Sequence, residues 1–228
     1  MAQTNKVNVR GNLTKDPEFY TLENGKTSCT FTIAVNDNYE KDGQKVEDPS
    51  FFTVKTYGDA AEKMKEAKKG MEYTASGMVK QRSWEKDGQK ASTIEILAFD
   101  VSPAEKGKDS FKQSAYVEFA GNLAADPEFT TTESGKKKCS FTIINNNEYE
   151  KNGKKIKDNT PLVVELWNEA ADKMKDAKKG NFYKMEGFLK HRWEKDGVKH
   201  AAIKLQAIEA VKLEKKIEKK APEYEMGR

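Results

Sequence analysis

The sequence predicts an all-β protein made of two copies of one small five-stranded barrel, each copy carrying a single short helix. Three observations carry that reading. A series of landmarks recurs at a constant shift of 110 residues, so that Gly11-Asn12-Leu13 and Asp16-Pro17-Glu18-Phe19 return as Gly121-Asn122-Leu123 and Asp126-Pro127-Glu128-Phe129. The shift holds through Cys29/Cys139, Phe31/Phe141, Tyr57/Trp167, Gly70/Gly180 and Arg82/Arg192, too long a match for a short-period solenoid and the mark of a domain duplication. Each copy is also dominated by short runs of β-branched and aromatic residues at period two, punctuated by Asp-Gly and Asn-Gly turns, with one helical stripe in between.

In the first copy the runs predict strands near 6–13, 28–36, 51–57, 72–84 and 91–101. Between the third and fourth, Asp59 is placed to cap a helix from Ala60 to Lys68, with Ala61, Met64 and Ala67 or Lys68 on one stripe and Gly70 as its stop. Five strands with a helix at that point predict a closed barrel of the OB type, the helix plugging one end. The predicted architecture is therefore tandem OB-fold five-stranded barrels: domain 1 over residues 1–103, a polar Pro- and Gly-containing linker over 104–114, domain 2 over 115–213, and a charged tail over 214–228. The stretches from Asn38 to Asp48 and Glu85 to Lys90 read as long flexible hairpin loops.

Period two sorts the third strand into Phe52, Val54 and Thr56 on one face and Phe51, Thr53, Lys55 and Tyr57 on the other. Two large rings flanking a cation are unusual on a wet face. The fourth strand repeats the pattern with Lys80, Arg82 and Trp84 on one side. Recurring rings and cations suit a polyanion with stackable bases. Any one ring could instead pack across strands, Tyr39 and Tyr149 above all, since both stand at the start of a predicted loop.

Composition narrows the function classes. With 41 Lys and Arg against 37 Asp and Glu the net charge is +4, so binding to a polyanion has to come from local placement. No run approaches the ~18 apolar residues of a membrane helix, and the amino terminus carries no apolar signal region, so the expectation is a cytosolic protein without a membrane partner. Cys29 and Cys139 fall in apolar strand phase and read as buried thiols rather than a disulfide or metal site. An enzyme is not expected. His191 and His200 have no counterparts in copy one and read as surface placements, no Cys/His cluster has metal spacing, and Ser134-Gly135-Lys136-Lys137 lacks the frame of a phosphate loop. No catalytic residue, metal or cofactor is assigned.

At this point a resemblance enters. Gly11-Asn12-Leu13-Thr14-Lys15-Asp16-Pro17-Glu18, the run Phe31 to Asn36, Phe51 through Glu62, Lys69-Gly70, Gly77 and Lys80-Gln81-Arg82-Ser83-Trp84 resemble, in order and spacing, the bacterial-type single-stranded DNA-binding protein family. The likeness covers nearly all of residues 6–101 and again 116–211. It implies OB folds that wrap single-stranded DNA without sequence preference, in replication, recombination or repair, in the cytoplasm at the nucleoid. The chain is similar to the branch with two OB folds per chain, which implies a homodimer presenting four. The family's stacking positions fall on Tyr39, Phe51, Tyr57 and Trp84 in copy one and on Tyr149, Pro161, Trp167 and Trp193 in copy two, giving Tyr39, Phe51, Tyr57, Trp84, Tyr149, Trp167 and Trp193 as candidate rings. Lys55, Lys80, Arg82, Lys190 and Arg192 are the candidate phosphate contacts.

Four departures stand out. Copy two has Pro161 for Phe51 and Glu165 for Lys55, and Arg82-Ser83-Trp84 shortens to Arg192-Trp193, which on a regular strand moves Trp193 to the face opposite Arg192 unless a bulge restores it. Copy two is therefore expected to bind more weakly. The tail, ending Glu-Tyr-Glu-Met-Gly-Arg, does not match the acidic, apolar-tipped tail through which family members recruit repair and replication enzymes, so the resemblance gives no ground for recruitment through it. A phage or mobile-element origin is compatible with such a tail. The competing reading is an OB module for protein interaction or RNA, in which the same rings form a docking patch; interleaved Lys and Arg argue against it.

Overall fold

The computed structural model describes residues 4–41, 43–86, 88–104, 113–151, 153–195 and 198–213; the side chains at 38–41, 45, 86, 90, 149–151, 192–195 and 198–202 lie outside what it describes. The first half runs β1 (Asn5–Leu13), β2 (Glu18–Thr21), β3 (Thr27–Lys41), β4 (Gln44–Tyr57), α1 (Asp59–Glu62), β5 (Glu72–Lys86) and β6 (Gln89–Pro103). The second repeats it as β7 (Ser114–Leu123), β8 (Glu128–Thr131), β9 (Lys137–Lys151), β10 (Lys154–Trp167), α2 (Glu169–Asp172), β11 (Phe182–Lys195) and β12 (Val198–Lys212).

In each half the long strands close on themselves. β3 pairs with β4, β4 lies parallel to β6, β6 pairs with β5, β5 with β1, and β1 returns to β3 through Asn12↔Ala34 and Leu13↔Ile33. That closure is the OB barrel, and the fold is all-β with tandem OB domains. Closure needs close backbone approach: a Cβ on Gly11 would run into the Ala34 carbonyl oxygen, and one on Gly121 into that of Ile144. Phe31, Ile33, Phe52, Val54 and Ile96 fill the first barrel with no exposure, as the alternation predicts. Ala61, Met64 and Ala67 close its end and are at most 2% exposed.

Several local expectations change. The helix expected over Ala60 to Lys68 holds α geometry only over Asp59–Glu62 and then tightens into three-residue turns, Met64 N–H to Ala61 O and Ala67 N–H to Met64 O, both 3.0 Å. Asp59 does not cap it; Gly58, at φ 57°, takes the cap position with no side-chain hydrogen bond. The hairpins read as flexible loops are instead continuous ladders. β3 and β4 pair from Ser28↔Tyr57 to Lys41↔Gln44, turning through a two-residue loop whose Gly43 sits at φ 74°. Tyr39 and Tyr149 accordingly lie within strands, opposite Val46 and Ile156, and not at loop starts. Of the linker read at 104–114, residues 105–112 lie outside the described residues, as does the tail over 214–228. The residue that follows, Gln113, is pinned: its Oε1 accepts from the Asn36 backbone N–H at 3.1 Å.

The two barrels share a sheet. β1 and β7 pair antiparallel from Asn5↔Phe119 to Arg10↔Ser114, with Val7 opposite Val117. Because Val117 is the repeat equivalent of Val7, a pseudo-two-fold axis passes through this pair. A six-stranded antiparallel surface results, in the order β6-β5-β1-β7-β11-β12. Its inward side buries Val7, Val9, Ala115, Val117 and Phe119. Its outer side carries a bulge in each half, between Ser76 and Gly77 against β6 and between Glu186 and Gly187 against β12. The bulged residues Phe99 and Ile208 are left 63% and 59% exposed, the most open of the large apolar side chains described.

The barrels also touch through β4 and β11. His191, read from sequence as a surface histidine, is half-buried there, and its backbone N–H donates to Ser50 Oγ at 3.2 Å. Burial pushes its imidazole below the ordinary 6.5, against a weaker opposing hydrogen bond with the Phe51 backbone. A neutral form favoured by folding stabilises fully above the unfolded value and is lost as pH falls through the folded one. In thermal melts, His191→Gln, which installs the copy-one residue, should track the wild type at pH 8, while the wild type loses melting temperature relative to it from about pH 6.5 downward.

Cys29 and Cys139 are both fully buried, and burial raises their thiols to about 12 and about 11. Both should resist an aromatic disulfide reagent in native buffer at pH 8 and react at once in denaturant; a native thiol reacting at the rate of a free peptide cysteine would contradict this burial.

Candidate nucleic-acid interface

The wet face of β4 comes out as its alternation requires. Phe52, Val54 and Thr56 are fully buried, while Phe51 and Tyr57 are 42% and 39% exposed, with Lys55 between them. On β5, Trp84 is 41% exposed. The cations sit against the rings: Lys55 Nζ lies 5.7 Å from the Tyr57 ring centre and Arg82 Cζ lies 5.7 Å from that of Trp84. A ring held open by a cation on its face keeps a stacking surface beside a phosphate partner.

Copy two builds the same surface differently. Trp167 is half-buried, and its cation is Lys138, whose Nζ lies 5.8 Å from the ring centre. Lys138 was missed in the sequence, although it precedes the buried Cys139 on a strand of period two and must therefore face outward. Glu165 does not stand alone on this face. Lys204 Nζ donates to its Oε1 at 2.8 Å, and Lys138 Nζ lies 3.9 Å from the same oxygen. Lys190 is opposite Lys204 on the β11–β12 ladder just as Lys80 is opposite Glu95 on β5–β6, so the second copy has exchanged the signs of a lysine and a glutamate between neighbouring strands. The anion at 165 is thus matched by a cation at 204. Pro161 has no such replacement and the ring is lost, leaving Val163 exposed on that face.

The one-residue slip before Trp193 is absorbed by a bulge. His191 pairs with Ile203 and Trp193 with His200, so Ala201 and Ala202 together face Arg192. Gln81 pairs with Ile94 and Trp84 with Ala91, the same rungs. Trp193 therefore occupies the ladder position of Trp84. The side chains of Tyr39, Tyr149, Arg192, Trp193 and His200 lie outside the described residues.

Two of the candidate phosphate contacts are already engaged. Lys80 Nζ donates to Asp158 Oδ2 at 2.7 Å, and Lys190 Nζ is ion-paired with Asp37, in each case across the two barrels. Neither acid was singled out in the sequence, because nothing local says which lysine of the other copy it meets. Among the described residues no group of His, Cys, Asp or Glu is arranged to hold a metal ion, and no helix is long and apolar enough to cross a membrane.

Comparison with known proteins agrees with this geometry. The sequence profile of the single-strand binding protein family matches residues 4–103 and again 116–213. The chain is 38% identical over 109 residues to single-stranded DNA-binding protein 2 of Clostridium acetobutylicum, covering 46% of this chain and 80% of that one. It is 26% identical over 190 residues to the single-stranded DNA-binding protein of Thermus aquaticus, covering 78% of this chain and 71% of that one. The crystal structure of the wild-type Thermus aquaticus protein superposes with a TM-score of 0.74 at 22% identity, over 97% of this chain and 98% of that one, a likeness of fold. With both halves matched and both barrels carrying the ring-and-cation face, the chain belongs to the single-strand binding protein family.

Proposed function

We propose that this protein binds single-stranded DNA without sequence preference and protects it during replication, recombination or repair, acting by binding and not by catalysis. The observation that carries this reading is the face on which Phe51, Tyr57 and Trp84 stand about two-fifths exposed, with Lys55 and Arg82 on the rings. Bases stack on such rings whatever their identity, and the cations neutralise phosphates with release of counterions. In this reading residues 1–103 and 115–213 are the two binding domains, 104–114 links them, and the protein works in the cytoplasm at the nucleoid. Copy two, lacking a ring at Pro161, contributes less.

The test is titration with oligo(dT) while following tryptophan fluorescence, at low and high salt, against duplex DNA of equal charge. Quenching by oligo(dT) that duplex fails to match, and that weakens with salt, is the expected result; absence of quenching at low salt would transfer the aromatic face to a protein-docking role. Trp84→Ala should weaken binding by the ~1–3 kcal/mol of one stacked base with little change in melting temperature, since the ring is largely outside the core.

The same reading includes a homodimer with four OB folds. The six-stranded surface supports it, because Phe99 and Ile208 project from its bulges and Phe188, 37% exposed, packs edge-on against Tyr116 at 5.8 Å. An open apolar patch on one sheet face is what a self-complementary interface buries. Light scattering should give the mass of two chains for the wild type and of one for Phe99→Glu/Ile208→Glu.

A further inference from the structure

Resting on the single-strand reading, we propose that Asp158 and Asp37 are built-in competitors of the DNA phosphates, occupying Lys80 and Lys190 until bound DNA displaces them. The two contacts are one device used twice. In the first half Asp37 faces Asp48 across the β3–β4 ladder, and in the second Asn147 faces Asp158 across β9–β10. These rungs are repeat equivalents, 110 residues apart. From each, a carboxylate crosses the pseudo-two-fold and meets the equivalent lysine on the fourth long strand of the opposite barrel, Lys80 from Asp158 and Lys190 from Asp37.

Both contacts lie on the proposed DNA path. Lys80 shares its strand face with Arg82 and Trp84. Lys190 lines an interdomain cleft together with Trp167, Lys204, Asp37 and Asp48. All four side chains keep contact with solvent, at 32% and 22% exposure for Lys80 and Asp158 and 25% and 56% for Lys190 and Asp37, so an arriving phosphate can reach the ammonium groups. An ammonium neutralised by a carboxylate gains little from a phosphate. The displaced aspartate then stands beside DNA and retains a cation, cancelling the counterion that the phosphate contact releases. Each pair therefore lowers affinity and removes the salt dependence of one phosphate contact.

Lys190 sits opposite Lys204, whereas Lys80 sits opposite Glu95. Lys204 is met by Glu165 at 2.8 Å and Lys190 by Asp37, while Asp48 stands opposite Asp37 in the same cleft, where the first site has only an asparagine opposite Asp158.

The test is the slope of log Kobs against log salt for oligo(dT) binding to the full-length protein. Asp158→Asn and Asp37→Asn/Asp48→Asn should each steepen the slope by roughly 0.7, the value for one single-strand phosphate contact, and their combination by about twice that. At low salt each should bind roughly 1.5- to 5-fold tighter. Glu66→Gln, which removes an exposed charge at the helix end of the first barrel, should leave the slope unchanged. Wild-type binding with unaltered slopes in the aspartate variants, weaker binding by variants that still melt as the wild type does, or an equal change from Glu66→Gln would overturn the proposal while leaving the single-strand reading intact. Absence of oligo(dT) binding by every protein, wild type included, would instead remove the reading beneath it.

Discussion

The pairing of β1 with β7 is the constraint on which the remainder depends. Six rungs centred on Val7 and Val117 turn two closed barrels into one continuous surface and fix their relative rotation. Each apolar side chain buried on the inward side of these strands, such as Val9 or Phe119, contributes roughly 1.5–3 kcal/mol. The half-exposed ion pairs across the barrels contribute about 0–1 kcal/mol each. The balance assigns the roles: the shared sheet holds the halves together, and the ion pairs can be exchanged for other anions without parting them.

With the rotation fixed, the electrostatics of each half cannot be read in isolation. Glu165 taken alone is an anion where the other copy carries Lys55. Beside Lys204 and Lys138 it is neutralised, and its ring partner Trp167 receives a cation from β9 where Tyr57 receives one from β4. Lys204 in turn sets two ammonium groups opposite each other on one ladder, an arrangement that is unfavourable unless acids approach. Asp37 and Glu165 supply them, the first from the other barrel. The charge differences between the repeats form one compensated set that spans the junction.

The barrel and its exposed ring-and-cation face were legible in the sequence because both follow from period two. Phe52, Val54 and Thr56 could only point one way once the strand was recognised, and Phe51, Lys55 and Tyr57 the other. The hairpins were misread as loops because charged residues such as Glu40, Lys41 and Asp48 suit solvent whether or not the backbone is paired; the ladder there continues to Lys41↔Gln44 and turns at Gly43, whose φ is 74°. Phe99 and Ile208 were invisible because a bulge shifts the phase of one strand only, and the signal was the glycine opposite: a Cβ on Gly77 or Gly187 would enter the Leu97 or Gln206 carbonyl. The cross-barrel ion pairs were beyond any local pattern, since they depend on a rotation set by β1 and β7.

Covalent fusion explains why the two halves were able to diverge. In a symmetric dimer of single barrels, every substitution appears on both sides of the axis, so a lysine at the Glu95 position would put the same charge surplus at both junctions, and an added aspartate would answer both or neither. Joining the copies lifts that restriction. Lys204 can be introduced opposite Lys190 alone, with Asp37 in the other half compensating where Asn147 has no need to. Carrying both copies on one chain also makes pairing of β1 with β7 an intramolecular event, so the junction does not depend on protein concentration and tolerates loss of a contact on one side. Asymmetry between the barrels, with Phe51 and Lys55 on one face and Pro161 and Glu165 at the same positions of the other, is thus open to a chain that carries both.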